Sequence, residues 1–209
     1  MNGREDMSYM TGGFSLSRNL YIADLHFGHN NIIRFDNRPF SDVDEMNRIL
    51  IQRWNDKVYR DDHVYVIGDV QMRMKSEDVD AVLRQLVGHL HLIRGNHDKK
   101  NVEWLKNFES VDDYLEIPDR AYKKDCRVVM SHYWMPFYNH NQGLAFMLHG
   151  HTHMTEESLL EENMKQALRE LGRRCEAYNV GCMYQNYEPQ TLEEIIERQD
   201  HKVVFEFRR

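Results

Sequence analysis

Apolar residues recur along this chain with two periods, and the switching between them predicts a layered fold. Leu20 and Ile22 mark a short first strand over Asn19 to Ala23. Val43, Met46, Leu50 and Trp54 fall on one face of a helix running from Ser41 to Trp54, with Ser41 and Asp44 as a capping-box-like start. His63 to Ile67 alternates and then ends as a buried strand. Ser76 is the expected cap of a second helix, in which Val79, Val82, Leu83 and Leu86 face inward and which Gly88 ends. Leu90 to Ile93 is a third strand, flanked by His89 and His91, which carry no assigned role.

From Val111 to Val129 the pattern turns β-like, with Tyr114 to Ile117 and Arg127 to Met130 pairing around Lys123-Lys124-Asp125. Leu144 to Leu148 is another strand. Thr155 to Leu171 has helical spacing, with Leu160, Met164, Ala167, Leu168 and Leu171 on its buried side and Gly172 as its stop. Ala177 to Val180 is strand-like, Thr191 to Arg198 a short amphipathic helix, and Val203 to Phe207 a last strand. Strands alternating with helices are the pattern of layered α/β architecture.

Composition narrows this picture without changing it. A chain of 209 residues, 41% hydrophobic and 29% charged, can bury a sizeable core. It is expected to form one domain over residues 18–209 behind a polar, loosely ordered leader at 1–17. The net charge of -7 and the lack of a long basic stretch argue against strong non-specific nucleic-acid binding. Cys126, Cys175 and Cys182 are odd in number and lack metal or disulfide spacing, which fits a reducing cytoplasm. Met1 to Ser17 holds no apolar segment of signal-peptide length, and no later run has the length of a membrane span. Nothing in the pattern selects an oligomeric state.

Chemistry collects where strands end, the places a rigid sheet holds in position. Gly95-Asn96-His97-Asp98 follows the third strand, Asp24-Leu25-His26 the first and Gly68-Asp69 the second. Ser131-His132 and His149-Gly150-His151-Thr152-His153 follow later ones. In extended backbone, alternate residues point to one side, so Asp24 converges with His26, and His151 with His153. His149 lies inside its strand and is expected to be buried. His29, Arg34 and Arg38, near or within the loop Asn31 to Phe40, either face a substrate phosphate or brace the loop. His29 and Arg38 are retained as candidate substrate contacts.

The order Asp-x-His, Gly-Asp, Gly-Asn-His-Asp, His, Gly-His-x-His resembles the calcineurin-like metallophosphoesterase superfamily from about Asn19 to Val180. Asn31 to Phe40, Trp54-Asn55 and Asn179-Val180-Gly181 are similar to a subgroup of small bacterial and phage phosphoesterases. The resemblance implies an α/β fold of two facing mixed sheets flanked by helices, with a two-metal site at the strand ends. Asp24, His26, Asp69 and His153 would hold one ion; Asp69, Asn96, His132 and His151 would hold the other, with Asp69 shared. Imidazole and carboxylate donors without thiolate suit Mn, Fe, Zn or Ni.

The expected reaction is hydrolysis of a phosphoester, with a diester favoured, by a metal-activated hydroxide. His97 is the expected acid for the leaving oxygen. Met72 stands where the protein-phosphatase branch carries an aspartate that orients this histidine, so Asp98 or a backbone carbonyl is the expected substitute. That branch's arginine-rich phosphate grip is missing too. A small-molecule or nucleotide substrate would enter past Asn30 to Phe40, Tyr133 to Asn141 and the helix Thr155 to Leu171. The alternatives are a noncatalytic metal-bound scaffold and a nuclease.

Overall fold

Alternating side chains on the first strands sort onto two apolar layers, and those layers fix the architecture. The computed structural model describes residues 17–200. Nearly all of the leader lies outside that range, as does the strand expected at 203–207. Strands β1 (Asn19–Ile22), β2 (His63–Ile67), β3 (His89–Ile93) and β4 (Ser110–Asp112) form a wholly parallel sheet in that order. A parallel neighbour requires a crossover, and helices α1 (Asn30–Phe35), α2 (Val43–Lys57) and α3 (Ser76–Leu83) occupy the first two. A 3-10 helix at Glu103–Asn107 occupies the third. Strands β5 (Leu115–Ala121), β6 (Lys124–Met130), β7 (Ala145–His149) and β8 (Ala177–Asn179) form a mixed sheet. In it β5 and β6 are antiparallel and the remaining pairs parallel.

Leu20, Ile22, Val64, Val66, Leu90 and Leu92 pack outward with Met46, Leu50 and Trp54 of α2 and Val79, Val82 and Leu83 of α3. The alternate residues Tyr21, Tyr65, Ile67 and Ile93 meet Val128, Met130, Phe146 and Leu148 of the second sheet. Helix α5 (Leu192–Asp200) adds Leu192, Ile195 and Ile196 to that inter-sheet layer. Trp54 shows how tightly α2 is held. It is buried, and its indole N–H donates to Val87 O at 2.9 Å. Next to it Asn55 donates to Gln85 O at 2.8 Å and accepts from Val87 N–H at 3.0 Å. The Trp54-Asn55 pair therefore ties α2 to the approach to β3.

Several local expectations shift. The cap of α2 is Asp42, whose carboxylate accepts from Glu45 N–H at 2.8 Å, and Ser41 instead donates to the Glu45 side chain. Lys75 precedes α3 without a side-chain cap bond, so Ser76 is its first helical residue rather than its cap. The hairpin is longer than expected, and its turn is Tyr122-Lys123 with φ of 50° and 61°. That left-handed pair is what a two-residue hairpin turn demands.

The largest correction concerns α4 (Glu156–Glu170), capped by Thr155. Of its expected inner stripe only Leu168 touches the core, packing beside Trp134 against Met147 and Ala177. Leu160, Met164 and Leu171 are 62%, 51% and 77% exposed. The buried residues are Glu161 and Lys165, because β7 presents a polar partner there: His149 Nε2 lies 2.9 Å from Glu161 Oε1. His149 is fully buried, as expected.

Candidate metal centre

Three of the strand-end motifs leave the sheet through left-handed turns, not in extended backbone. Asp24, His26, Asp69, His151 and His153 have φ of 55°, 53°, 55°, 72° and 46°. Five of the seven expected metal ligands thus sit in the left-handed region, where Asp and His are tolerated better than most residues. Asp24 and His26 converge as expected, but through left-handed turns; His151 and His153 part, His153 joining Asp24 and His26 while His151 turns to Asn96. Such conformations persist only where the surroundings over-determine them, and they gather at functional sites.

Two glycines allow the close approach. At Gly68 φ is +86°, and a Cβ would lie 2.7 Å from His132 Cγ and 2.8 Å from Gly95 Cα. At Gly150 a Cβ would lie 2.6 Å from Asp24 Oδ2.

The motifs meet around Asp69. Its Oδ2 lies 3.6 Å from His26 Nε2, 3.6 Å from His132 Nε2 and 3.9 Å from His97 Nε2. Asp24, His26, Asp69 and His153 each offer one ligand atom, and these atoms lie within 4.8 Å of one another. His26 Nε2 and His153 Nε2 are 3.2 Å apart, and His153 Nε2 is 3.7 Å from Asp24 Oδ1. The other expected set gathers on Asn96, whose Oδ1 is 3.0 Å from both His132 Nε2 and His151 Nδ1. Gaps of 3.6–3.9 Å exceed a hydrogen bond. They come near the edge of a coordination shell, since ligands at about 2.1 Å from an ion stand roughly 3–3.4 Å apart.

The protonation pattern favours a cation. His132 Nδ1–H donates to Ile67 O at 3.0 Å, which leaves Nε2 with its lone pair toward the centre. Burial, reinforced by His153 and Arg38, pushes the His26 imidazolium far below its ordinary range and keeps the ring neutral. Burial also pushes the Asp24 carboxyl up, with Asp69 adding to the rise, while His153 and His132 oppose it. Burial works against the His153 charge too, but Asp36 and Asp24 act the other way and raise it. Buried carboxyl groups and imidazole nitrogens facing one another form a cage that a divalent ion would satisfy.

A supporting layer holds the ligands. Asp36 accepts from His153 Nδ1 at 3.0 Å, which aims Nε2 at Asp24. Arg38 is 4% exposed and turned inward. Its guanidinium donates to Asp36 Oδ2 at 3.0 Å, Asp24 O at 2.9 Å and Leu25 O at 3.0 Å. Arg38 therefore braces the first motif and is not a substrate contact. Exposed Arg34 lies over the Phe35 ring. Asp98 does not orient His97: its oxygens accept from Asp69 N–H at 2.7 Å, Val70 N–H at 3.1 Å and Gly95 N–H at 2.9 Å. Asn179 Nδ2 donates to Thr152 Oγ1 at 2.9 Å, steadying the turn between His151 and His153.

His29 stands at the rim, its ring centroid 5.3 Å from that of His26. Tyr133 stands at the rim as well, half exposed, with its ring 4.5 Å from His151. Asp36 was the residue that motif reading missed, although its spacing from Arg38 within one loop was visible.

The calcineurin-like phosphoesterase superfamily domain matches residues 19–185. Over 84 residues the chain is 48% identical to the uncharacterized protein MJ1445 of Methanocaldococcus jannaschii, covering 39% of this chain and 48% of that one. Over 85 residues it is 31% identical to the Gene 66 protein of Mycobacterium phage L5, covering 40% and 41%. The match thus spans about half or less of these relatives' length. The Gene 66 protein of Mycobacterium phage D29 is 25% identical over 157 residues, covering 64% and 77%. A protein of unknown function from Aquifex aeolicus, AQ665, has the same fold, with a TM-score of 0.63 at 22% identity over 90% of this chain and all of that one. With that match running through every strand-end motif described, the chain belongs to the calcineurin-like phosphoesterase superfamily.

Proposed function

We propose that the protein is a metal-dependent phosphoesterase that cleaves phosphodiesters of small molecules or nucleotides. The observation that carries this reading is the position of Asp69 Oδ2, within 4 Å of His26, His97 and His132 at once. Asp24, His26, Asp69 and His153 would hold one divalent ion, and Asp69, Asn96, His132 and His151 a second. When bound, such ions supply Lewis acidity toward phosphoryl oxygens and make bound water more acidic.

The remaining chemistry falls to side chains. His97 is about one-third exposed, and its backbone N–H is anchored on Asp69 Oδ1 at 2.9 Å. Its ring can therefore give a proton to the leaving oxygen of a substrate at the centre. His29 would meet a phosphoryl oxygen, a reading that its ring at the rim, 5.3 Å from that of His26, supports. The free cysteines, two of them buried, fit a reducing compartment such as the cytoplasm.

The test is hydrolysis of bis-p-nitrophenyl phosphate with Mn, Fe, Zn or Ni added singly. At least one ion should support turnover, and chelation should abolish it. Bound ions without cleavage of any ester in a phosphate panel would instead establish a metal-bound scaffold. His97→Ala should keep its metal and lose about 10²–10⁴-fold in rate on alkyl esters, which need a proton on the leaving oxygen. It should lose far less on p-nitrophenyl esters, and equal losses on both would remove the acid role.

A further inference from the structure

The inter-sheet face of the parallel sheet changes character at its other end. Alternation puts Tyr65 and Ile67 of β2 and Ile93 of β3 in the inter-sheet core. The same alternation brings His63, His89 and His91 onto that face, at the ends where the two strands begin. Their rings stack, His63 on His89 at 4.9 Å and on His91 at 5.2 Å, but stacking alone does not require three titratable rings there.

Their arrangement is specific. His63 Nδ1 lies 2.9 Å from His91 Nε2. His91 Nδ1 is 3.0 Å from Ser110 Oγ on β4, so its outer nitrogen has a partner and Nε2 faces His63. The His91 ring is stacked on Tyr65 at 4.6 Å and 17°, which fixes its plane. Glu109 is brought alongside by its backbone, whose N–H donates to Leu90 O at 2.8 Å, between His89 and His91. Glu109 Oε1 also lies 2.5 Å from His89 Nδ1. One ligand atom each from His63, His91 and Glu109 lie within 4.8 Å of one another.

We infer that His63, His91 and Glu109 form a second, independent cation site for a borderline transition ion such as Zn²⁺, Ni²⁺ or Cu²⁺. Two imidazoles and one carboxylate are the donors such ions prefer over Mg²⁺ or Ca²⁺, and open positions remain for water. Two imidazole nitrogens on one Zn²⁺ stand about 3.3 Å apart, so the His63–His91 gap needs to open by only a few tenths of an ångström. The ion would take the place of the hydrogen bond between the two rings. It would join β2, β3 and the start of β4. His63 opens β2 and Asp69 follows its last residue, Ile67, so the strand alone, about 13 Å long, keeps the two sites apart. The inference does not rest on the proposed catalytic activity.

Metal content after zinc equilibration and gel filtration tests it. Asp69→Asn removes the carboxylate shared at the strand-end centre and should still retain zinc at the histidine site. Adding His91→Gln should lower the content by one zinc per chain, with circular dichroism confirming the fold. Should His91→Gln fail to fold, Glu109→Gln changes only a half-exposed side chain. It should weaken that zinc by at least the roughly tenfold that losing even an outer-shell partner costs. Unchanged content and affinity in these variants would overturn the assignment, as would binding only at millimolar zinc.

Discussion

Asp36 is placed to govern the centre without a metal-facing atom of its own. Burial opposes its ionisation, but His153 and Arg38 outweigh that and hold its carboxyl below the usual range. It therefore stays charged and keeps His153 Nδ1–H directed at itself. Asp36→Asn preserves shape but weakens this hold. If His153 ligates an ion as proposed, affinity for it should fall by about 10–100-fold, as is typical when a carboxylate behind a ligating histidine is lost. Calorimetric titration with Mn²⁺ or Zn²⁺ would measure it, and excess metal should restore turnover. A variant whose rate stays low at saturating metal would place Asp36 in the chemistry instead. At this scale the residues gathered around Asp69 were legible because Asp, His and Asn recur directly after successive strands, in an order no single strand end would show. The left-handed turns at Asp24, His26 and His151 were not legible, since nothing local distinguishes them from extended chain.

At the scale of elements, α4 shows how a helical stripe misleads. Its apolar side wins on periodicity, yet Glu161 and Lys165 are the buried pair, joined to each other and set against His149. A fully buried histidine at the end of β7 reverses which face docks, and that depends on a partner far along the chain. Burial works against the Glu161 charge, but His149 and Lys165 overcome it and pull its carboxyl from 4.5 down to about 2. A folded-state value below the unfolded one stabilises above about pH 4.5, and that contribution is lost as pH falls through about 2. Glu161→Gln should cost about 3 kcal/mol at neutral pH, the scale of a buried pair losing one partner. The gap from wild type should narrow by about pH 3, where the unfolded carboxyl has taken up a proton that folded Glu161 still lacks. Urea unfolding at both pH values would check it, and a constant gap would show that the carboxylate charge is not what docks the helix.

Across the whole molecule, the centre is where the two sheets are fastened. The parallel sheet supplies Asp24, Asp69, Asn96 and His97, and the mixed sheet supplies His132, His151 and His153. Among protein contacts, His132 Nδ1–H reaches Ile67 O, and His151 N–H reaches Asp24 Oδ2 at 3.1 Å. Ions shared by both sets would cross-link the sheets at this end, while α5 and the apolar layer hold the space between them. Ions binding only the folded state at about 100 times their Kd add about 2.7 kcal/mol. For a chain of this size that is roughly 5–10 °C in Tm. Chelation should lower Tm by that amount, and returning manganese should restore it. The same geometry predicts a reversal. Without ions, burial disfavours the Asp24 charge and repulsion from Asp69 adds to that, while His153 and His132 favour it. Asp24→Asn relieves that repulsion but removes a ligand, so it should match or exceed the wild-type Tm in chelator and gain little from manganese. Differential scanning calorimetry of both proteins, with and without metal, decides the matter. If chelation left the wild-type Tm unmoved, the apolar layer and the direct hydrogen bonds would be what holds the sheets together, and the strand-end residues would not be acting as a shared cage.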